Sequence, residues 1–526
     1  MLAPDLVAAH SDRAVELALQ AELQRPDAPS SIAAFYRSRQ YRPLWVKVSG
    51  SGPFPAGGSA RPEAARLAAD AARSMPARYA GLPGAVAAAN GAAPESLARL
   101  ELTLSQALGD YAAKVGQAPA AARLDFVDPA LAAASEPAAV LRAAAAAPSL
   151  AQHLTRLEEV NPVYNTLRKD LAAYRARWSG LPQVRVPEGP ALRAGDTGDR
   201  VGLLRRRLGL DARGVFDADL TKAVGAFQAA HALPATGTAD AATLAALNAG
   251  AAHYEALIQA NIERARALPP LMGRRFVLVN VAAAQLWFYE DGRLKGSMRT
   301  VVGAPQEQTP TMAGVITHLV FNPYWNIPVD LVRDSLAPKV RRFGAGYLQN
   351  ANMEALSGWT DDARALDPQT IDWRAVENGS AELRVRQRPG GDNMMGRVKF
   401  MLPNELGIYL HDTPNKALFQ SQRRLFSAGC IRLEHAPELA AWLLGPQGAA
   451  AASAAADQRV DLAEPTVVYI TYLTAAPGAS GVVFYPDVYG RDPALLRALG
   501  KGGPANPAAE RKPAPKPSHG AWESAA

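Results

Sequence analysis

The pattern of apolar residues changes near residue 272, and this change limits the folds open to the chain. Before it, apolar residues recur at helical spacing up to the segment NIERARALPP. After it, runs at 276–281 and 285–289 have the composition of β-strands, and Asp291-Gly292 after the second run is a dipeptide that favours a two-residue hairpin turn. The chain of 526 residues is also too long for one ordinary domain. The sequence therefore predicts a multidomain α+β protein, with further strands at 314–321, 397–401, 407–411 and 467–474.

The helical part divides into three stretches. Residues 1–190 are rich in alanine, and apolar residues at three-, four- and seven-residue steps between 150 and 178 indicate one buried face on an α-helical scaffold. Residues 191–250 form a separate small module, and residues 251–272 are a helix that links it to the strands. At the other end of the chain, residues 502–526 have the proline-rich, polar composition of a disordered tail.

Composition and charge narrow the classes of function. Hydrophobic residues make up 48% of the chain and charged residues 20%, which is typical of soluble globular protein. The net charge of +7 comes from scattered Lys and Arg, so we predict no nucleic-acid partner. No apolar run has the length of a membrane span, and the N-terminal MLAPDLVAAHSDRA lacks a signal-peptide pattern. The sequence thus predicts either a cytoplasmic protein or one whose export signal is not part of this chain.

Cys430 is the only cysteine, so the chain can form neither an internal disulfide nor a thiol-rich metal site. It follows Gly429 and precedes a segment that Pro437 can start as a helix. His411, 19 residues earlier, lies on a predicted strand whose alternation puts it on the same side as Tyr409. An imidazole beside a thiol promotes the reactive thiolate. From spacing alone, a Cys/His pair is one interpretation, and an inert buried cysteine with an unrelated histidine is the other.

The module between 192 and 248 contains LRAGDTGDRVGLLRRRLGL and then GVFDADLTKAVGAFQAAHALPATGTADAATLAALN. Its apolar spacing and its Asp and Gly positions predict three short helices. The module resembles the peptidoglycan-binding domain that is appended to many cell-wall enzymes. The resemblance rests mainly on residues for core packing and turns, so the sequence does not indicate which of them contact glycan.

The strand-rich part resembles the YkuD-type L,D-transpeptidases, and specifically their large branch with a helical scaffold, a peptidoglycan-binding domain and a lidded catalytic domain. This similarity extends over 192–492 and is weaker over 1–190. It implies a mainly β catalytic domain at 273–495 with an inserted lid at 331–395. The stretches that carry it are FNPYWNIPVDLV, RQRPGGDNMMGRVKFMLPNELGIYLHDTPNKALF, RRLFSAGCIRLEHAPELA, and YITYLTA with DVYGRD.

The resemblance also implies a role for each matching site residue. It makes Cys430 the nucleophile and His411 its general base or ion-pair partner, oriented by the backbone carbonyl of Asp412. It gives Tyr409 a part in stabilising the oxyanion, with backbone N–H groups near Gly429 and Cys430. The family writes Ser-His-Gly-Cys where this chain has Ser-Ala-Gly-Cys, which leaves His411 as the base. The residues that it implies for substrate binding are Arg432, Ser427, Trp325, Tyr324 and Asn322.

The implied reaction is a two-step acyl transfer that needs neither a metal nor an organic cofactor. Cys430 would attack the bond between diaminopimelate and the terminal D-Ala of a donor tetrapeptide, and the side-chain amine of a second stem peptide would then take the acyl group from the thioester. The implied partners are peptidoglycan stem peptides and glycan, with other wall synthases as candidates and carbapenems as covalent inhibitors. The implied location is the periplasm or cell envelope of a Gram-negative bacterium.

Three alternatives remain open at this point. The same residues would serve an L,D-carboxypeptidase or endopeptidase in which water takes the thioester, and the predicted lid favours transfer over that reaction. A metal-dependent wall amidase or peptidase needs clustered ligands, but the chain has no His-x-His or His-x-x-x-His. A non-catalytic wall-binding protein would need neither Cys430 nor His411, so the intact set of motif residues argues against it.

Overall fold

A computed structural model of the chain describes residues 4–26, 28–48, 58–128, 131, 137–270, 272–360, 362–448, 455–479 and 481–501. The tail at 502–526, which the sequence predicts to be disordered, lies outside these residues. The chain forms two compact units, 1–118 with 132–165, and 119–131 with 166–526. Within the described residues, no helix combines the length and the apolar character that a membrane span requires.

The first unit is a helical domain with one short strand pair. Proline occupies the first turn of several of its helices, where the missing N–H costs no hydrogen bond. The strands β1 (Val46–Val48) and β2 (Gly58–Ala60) pair antiparallel. The helices are α1 (Pro4–Leu23), α2 (Ser30–Ser38), α3 (Pro62–Ser74), α4 (Pro76–Tyr79), α5 (Leu82–Ala87), α6 (Pro94–Gly116), α7 (Pro137–Ala146) and α8 (Leu150–Leu157).

A buried carboxylate lies in the core of this unit. Glu101 is fully buried on α6 and accepts hydrogen bonds from the hydroxyl of Tyr36 at 2.6 Å and from the backbone N–H groups of Leu44, Trp45 and Val46. Burial raises the pKa of Glu101, and the hydrogen bonds oppose that shift. Sequence periodicity places this residue on a helix but does not reveal that it organises the chain around β1.

The second unit begins with helices. α9 (Pro162–Tyr174) crosses the boundary between the two units in sequence, and α13 (Ala251–Arg266) leads to the strands. Between them lie the three helices of the small module, α10 (Asp199–Arg207), α11 (Ala218–Ala230) and α12 (Ala241–Ala249). Asp217 and Asp240 cap the last two by accepting from the N–H groups of Leu220 at 2.9 Å and Thr243 at 2.8 Å. These caps explain why the helices start where the sequence predicts them.

The remaining strands form three sheets. They are β3 (Asp125–Phe126), β4 (Arg275–Asn280), β5 (Gln285–Glu290), β6 (Arg293–Gly303), β7 (Met312–Phe321), β8 (Trp325–Ile327), β9 (Met353–Leu356), β10 (Ala365–Leu366), β11 (Arg384–Gln387), β12 (Val398–Met401), β13 (Leu410–His411), β14 (Leu425–Ser427), β15 (Ile431–Leu433), β16 (Gln458–Thr471), β17 (Ala475–Gly478) and β18 (Gly481–Phe484). The helices among them are α14 (Val329–Leu331), α15 (Ala337–Phe343), α16 (Gly346–Asn350), α17 (Trp373–Glu377), α18 (Ala436–Gly448) and α19 (Asp492–Ala498).

The main sheet closes into a ring in the order β12, β13, β15, β6, β5, β4, β16, β7 and back to β12. β3 pairs parallel with the free edge at the start of β7, and β14 pairs parallel with β6. Alternate residues of these strands point into one core, which also receives the apolar face of α18. This ring holds β13 and β15 side by side, and these two strands carry His411 and the segment that follows Cys430.

A subdomain with its own core is inserted between β7 and β12. The strands β8 to β11 form an antiparallel sheet in the order β10, β9, β11, β8, and α14 to α17 pack with it. The segment predicted at 331–395 omits β8, which precedes it in the sequence. In the structure, Trp325 pairs with Gln387, so the chain enters and leaves the insertion on adjacent strands.

His231 lies in an aromatic cluster of the second unit and is 6% exposed. Its ring stacks on Phe227 at 3.9 Å and on Phe484 at 5.4 Å between centroids. Its Nδ1 lies 2.7 Å from the carbonyl oxygen of Phe227, and its Nε2 lies 3.2 Å from the hydroxyl of Tyr174. Burial lowers the pKa of His231 to about 4, so the folded protein holds this imidazole neutral.

We expect His231 to make the second unit less stable in acid. The folded-state pKa of about 4 lies below the ordinary value of 6.5, so the unfolded chain binds the proton more tightly and stability falls as the pH drops below 6.5. At pH 4 the loss of unfolding free energy amounts to about 3 kcal/mol.

Tyr174→Phe with His231→Phe keeps the ring packing and removes the titration, whereas Tyr174→Phe alone retains the titrating His231. Calorimetry should show a steeper fall in Tm between pH 7 and pH 4 for the single variant, and equal slopes would contradict this account.

Candidate active site

Cys430 ends a tight turn between β14 and β15 and is partly exposed. Gly429 has a φ of +110°, a backbone conformation that favours glycine. The hydroxyl of Ser427 donates to the carbonyl oxygen of Cys430 at 2.6 Å and accepts from the N–H of Gly429 at 3.2 Å. The sulfur of Cys430 lies 3.5 Å from the carbonyl oxygen of Gly407. Ser427, predicted to bind substrate, therefore fixes the shape of the turn with its hydroxyl.

Strand pairing brings the predicted catalytic residues together. β13 and β15 run parallel, with Leu410 opposite Ile431 and His411 opposite Arg432. Leu410 and Ile431 point into the core and are fully buried. Side chains alternate along a strand, so Tyr409, His411, Cys430 and Arg432 lie together on the opposite face. The spacing of 19 residues between His411 and Cys430 is thus spanned by one loop and β14.

His411 is held in one orientation by the backbone. Its Nδ1 lies 2.5 Å from the carbonyl oxygen of Asp412, which can only accept, so Nδ1 carries the proton and Nε2 is the acceptor nitrogen. The side chain is 2% exposed. Burial, followed by the positive charge of Arg432, lowers the pKa of His411 to about 3. The imidazole is therefore neutral at neutral pH and free of the standing positive charge that an ion pair requires.

Asp412 binds His411 through its backbone carbonyl, and its side-chain carboxylate fixes the position of that backbone. It accepts from the N–H of Arg397 at 2.9 Å and from the ammonium of Lys416 at 2.6 Å. Gly396, with a φ of +63°, lies so close that a Cβ there would approach the Asp412 carboxylate to 2.5 Å. Sequence reasoning missed Lys416 and the contact of Gly396 with Asp412, although both residues belong to the motif stretch that identified His411.

Positive charge faces the same side of the sheet. The Nε of Arg432 is buried and has no hydrogen-bond partner within the described part of the chain. Burial lowers the pKa of Arg432, and the nearby Cys430 opposes that shift. The ammonium of Lys399, opposite His411 on β12, lies 4.0 Å from the centre of the Tyr409 ring, and that ring lies 5.9 Å from the His411 ring. Lys399 is a further site residue that the sequence reasoning did not single out.

The other predicted substrate-binding residues lie at the base of the insertion. Asn322 follows β7 with a φ of +47°, and its side chain donates to the carbonyl oxygen of Ala455 at 3.1 Å. The ring of Tyr324 packs under the guanidinium of Arg386 at 4.1 Å. Trp325 starts β8 and packs partly buried against the core of the insertion. Tyr324 and Trp325 thus contact the insertion, whereas the side chain of Asn322 binds the segment before β16.

No group of three or more His, Cys, Asp or Glu side chains in the described residues is arranged to hold a metal ion. Together, the described residues offer a partly exposed thiol, a neutral imidazole whose Nε2 is the acceptor nitrogen, and an arginine with an unsatisfied N–H. A thiol and a base on one face can carry out nucleophilic acyl transfer.

Three family models match separate parts of the chain. Residues 274–470 match the L,D-transpeptidase catalytic domain called YkuD, and residues 200–247 match a putative peptidoglycan binding domain. Residues 30–171 match a model described as a scaffold domain. The predicted fold class, multidomain α+β with a mainly β YkuD-type domain, is confirmed by these matches together with the observed strands.

A putative L,D-transpeptidase of Haemophilus influenzae is 34% identical over 242 residues, which cover 44% of this chain and 47% of that protein. The chain thus matches about half the length of this curated relative. Among solved structures, an L,D-transpeptidase from Mycobacterium smegmatis is 13% identical, with 38% of this chain and 58% of that chain covered and a TM-score of 0.19. An L,D-transpeptidase from Xylanimonas cellulosilytica is 17% identical, with 54% and 98% covered and a TM-score of 0.18.

Proposed function

We propose that the chain cross-links peptidoglycan stem peptides through a thioester on Cys430. The matches of 274–470 to the L,D-transpeptidase catalytic domain, of 30–171 to a scaffold domain and of 200–247 to a putative peptidoglycan binding domain support this proposal. The observation that carries this proposal is the shared face of β13 and β15, which carries Cys430 and a neutral His411 whose Nδ1 is held by the Asp412 carbonyl.

In the first step, the thiol of Cys430 transfers its proton to Nε2 of His411 as the sulfur attacks the carbonyl between diaminopimelate and the terminal D-Ala. The N–H of Cys430 and the hydroxyl of Tyr409 stabilise the oxyanion of the tetrahedral intermediate. The imidazolium returns the proton to the departing amine, and D-Ala leaves a thioester behind. The side-chain amine of a second stem peptide then attacks the thioester and passes its proton to His411. The C–S bond breaks, the sulfur takes the proton back from His411, and a diaminopimelate–diaminopimelate cross-link is released.

His411 acts as a general base here, and this choice follows from its surroundings. A resting thiolate–imidazolium pair would need a raised pKa on the imidazole, whereas burial and the positive charge of Arg432 lower the pKa of His411 to about 3. The imidazolium forms only when the sulfur becomes bonded to the acyl carbon. Asp412 contributes its carbonyl, and its carboxylate contributes by holding the backbone through Arg397 and Lys416.

Arg432 binds a carboxylate of the donor stem peptide in this proposal. Its Nε is buried without a partner among the residues that the structure describes, and an unsatisfied guanidinium N–H is costly unless a ligand completes it. Lys399 adds positive charge on the same face. The small module at 200–247 supplies affinity for the wall polymer, and the cell envelope is the location that fits such a substrate.

The inserted subdomain serves as a lid over the bound donor peptide. It has its own core and joins the ring at two adjacent strands. Its return segment is tied to the catalytic domain, because the side chain of Asn393 donates to the carbonyl oxygen of Pro323 at 3.1 Å and the N–H of Arg397 donates to Asp412. A movement of the insertion would thus reach the residue that holds His411. A closed lid excludes water from the thioester, so that the amine acceptor reacts in its place.

Shortening the insertion should shift the products toward hydrolysis. Ile327 lies opposite Val385, so a two-residue Asn-Gly turn can join them in place of 328–384. Ile327→Thr and Val385→Thr would keep the new hairpin soluble. We expect the ratio of tripeptide to cross-linked dimer to rise several-fold, as measured by mass spectrometry of the muropeptides. Retained acylation by a carbapenem is the control for an intact site, and an unchanged ratio in an acylated variant would reject the lid.

The test of the proposed function is digestion of purified disaccharide tetrapeptide with the protein, followed by mass spectrometry. We expect loss of one D-Ala per donor and the appearance of dimers linked between two diaminopimelate residues. Tripeptide without dimer would instead identify an L,D-carboxypeptidase, which the same Cys/His pair can support. Absence of both products, with sacculi as well as with muropeptides, would reject the proposal.

A further inference from the structure

The turn that carries Cys430 is fastened to the loop that follows β6. Gly303 pairs with Ser427, and the N–H of Ala304 donates to the carbonyl oxygen of Ser427 at 2.9 Å. At the other end of this loop, the hydroxyl of Thr309 donates to the carbonyl oxygen of Gly429 at 2.8 Å. The residue directly before the nucleophile is therefore held by a side chain 120 residues away in sequence.

Each polar group of Thr309 takes part in a hydrogen bond that holds the residue in place. It is fully buried, and its hydroxyl also accepts from the N–H of Gly303 at 2.9 Å. Its own N–H donates to the hydroxyl of Tyr489 at 3.3 Å, and its carbonyl oxygen accepts from the guanidinium of Arg491 at 3.2 Å. A side chain bound in this way has one available rotamer and points its hydroxyl at Gly429.

The residues behind Thr309 come from two sequence motifs that the proposed mechanism does not use, YITYLTA and DVYGRD. The hydroxyl of Tyr489 donates to the carbonyl oxygen of Gly303 at 2.6 Å, and its ring stacks on Tyr472 at 5.5 Å. The hydroxyl of Tyr472 accepts from the N–H of Tyr489 at 2.8 Å and donates to the carboxylate of Asp487 at 2.5 Å. Tyr472, Asp487 and Tyr489 of these motifs thus form a hydrogen-bonded group, and Tyr489 of that group holds Thr309.

The orientation of one peptide group connects this support to catalysis. In a planar trans peptide, the carbonyl of Gly429 and the N–H of Cys430 point in opposite directions. Gly429 has a φ of +110° and no side chain, so nothing in its own structure prevents the peptide from rotating. The hydrogen bond from Thr309 fixes the carbonyl, and the direction of the Cys430 N–H is fixed with it.

We infer that Thr309, held by Tyr489, is a positioning residue that aims the backbone N–H of Cys430 at the oxyanion of the tetrahedral intermediate. The inference rests on the proposed function, because only acyl transfer at Cys430 generates that oxyanion. An alternative role in packing alone would affect the thiol and the oxyanion site equally, and this difference allows a direct test.

The test compares Thr309→Val, which has nearly the same shape without the hydroxyl, with Thr309→Ser, which retains the hydroxyl. Acylation by a carbapenem adds the sulfur to a carbonyl and passes through an oxyanion, whereas alkylation by iodoacetamide displaces iodide and forms none. We expect acylation of Thr309→Val to be slower by about a hundredfold to a thousandfold, the range for loss of one oxyanion donor, with alkylation within about twofold of the unchanged protein. Thr309→Ser should restore acylation to within a few-fold, and Tyr489→Phe should slow it in the same direction as Thr309→Val.

The outcomes separate this inference from the proposed function. Acylation of Thr309→Val at the original rate, or an equal loss of acylation and alkylation, would overturn the positioning role while the proposed function stands. If the unchanged protein is acylated but makes no peptidoglycan product, the proposed function fails, and a selective loss in Thr309→Val still supports the positioning role. If the unchanged protein is not acylated at all, both are overturned.

Discussion

Replacing Cys430 by alanine should abolish both D-Ala release and dimer formation from tetrapeptide donors, a loss on the order of 10⁴-fold or more. The sulfur is the only atom in the site that can form the thioester, and the chain has no second cysteine to substitute for it. Muropeptide products separated and identified by mass spectrometry are the measurement. Intact-protein mass spectrometry after incubation with a carbapenem should show one adduct on the unchanged protein and none on the variant.

The fold should survive this substitution, because the turn does not depend on the sulfur. Its shape is set by the hydroxyl of Ser427, which joins the N–H of Gly429 to the carbonyl of Cys430, and by the hydrogen bond from Thr309 to Gly429. The sulfur itself makes a weak contact of 3.5 Å with Gly407. We therefore expect an unchanged circular dichroism spectrum and a Tm within a few degrees. Full turnover by a folded Cys430→Ala protein would remove the proposed mechanism.

Strand composition and turn dipeptides predicted those strands and turns that are determined by residues close in sequence. Runs with strand composition gave β5 and β7 close to their observed bounds, and the Asp-Gly dipeptide marked the turn between β5 and β6. β16 starts at Gln458, earlier than the predicted 467, since its first residues are polar and pair with β7 beyond an irregularity in register. β13 is shorter than the predicted 407–411, because Gly407 has a φ of +62° and the chain enters the ring only at Leu410. Hydrophobic periodicity does not show which strands pair or where the pairing begins, so it could not predict the observed bounds of β16 and β13.

In the candidate site, too, the sequence predicted features that lie within a motif and missed contacts between distant residues. The motifs around Cys430 and His411 predicted a Cys/His pair and the use of the Asp412 carbonyl. In the structure, β13 and β15 pair side by side, and the Nδ1 of His411 lies 2.5 Å from that carbonyl oxygen. The support for these residues comes from far along the chain, as with Thr309, or depends on a backbone contact, as with Gly396 beside Asp412. A single sequence carries no signal for such contacts. The burial that lowers the pKa of His411 was also invisible, and it is what favours a neutral base over an ion pair.

His411→Gln should reduce the second-order rate of carbapenem acylation by about 10²- to 10⁴-fold, the range for loss of a general base. Glutamine is close in size and polar, but it cannot take the proton of the thiol at neutral pH. The matched control is His318→Gln, the same change at a partly buried histidine of β7 in the same ring of strands. We expect that variant to keep the original rate. An equal loss in both variants would mean that the effect of His411→Gln is structural.

The pH dependence of the same reaction tests the protonation state that the mechanism assigns. Activity requires neutral His411, and since its pKa is lowered to about 3, the imidazole stays deprotonated as the pH falls from 7 to 5. The acid limb of the acylation rate should therefore lie well below the value of 6.5 expected for an unperturbed histidine. Arg432 is the second cause of the lowered pKa, after burial, so Arg432→Gln removes a positive charge beside the imidazole and should move the acid limb toward higher pH. A limb near 6.5 in the unchanged protein, or no movement in Arg432→Gln, would contradict a His411 whose pKa is lowered by burial and by the charge of Arg432.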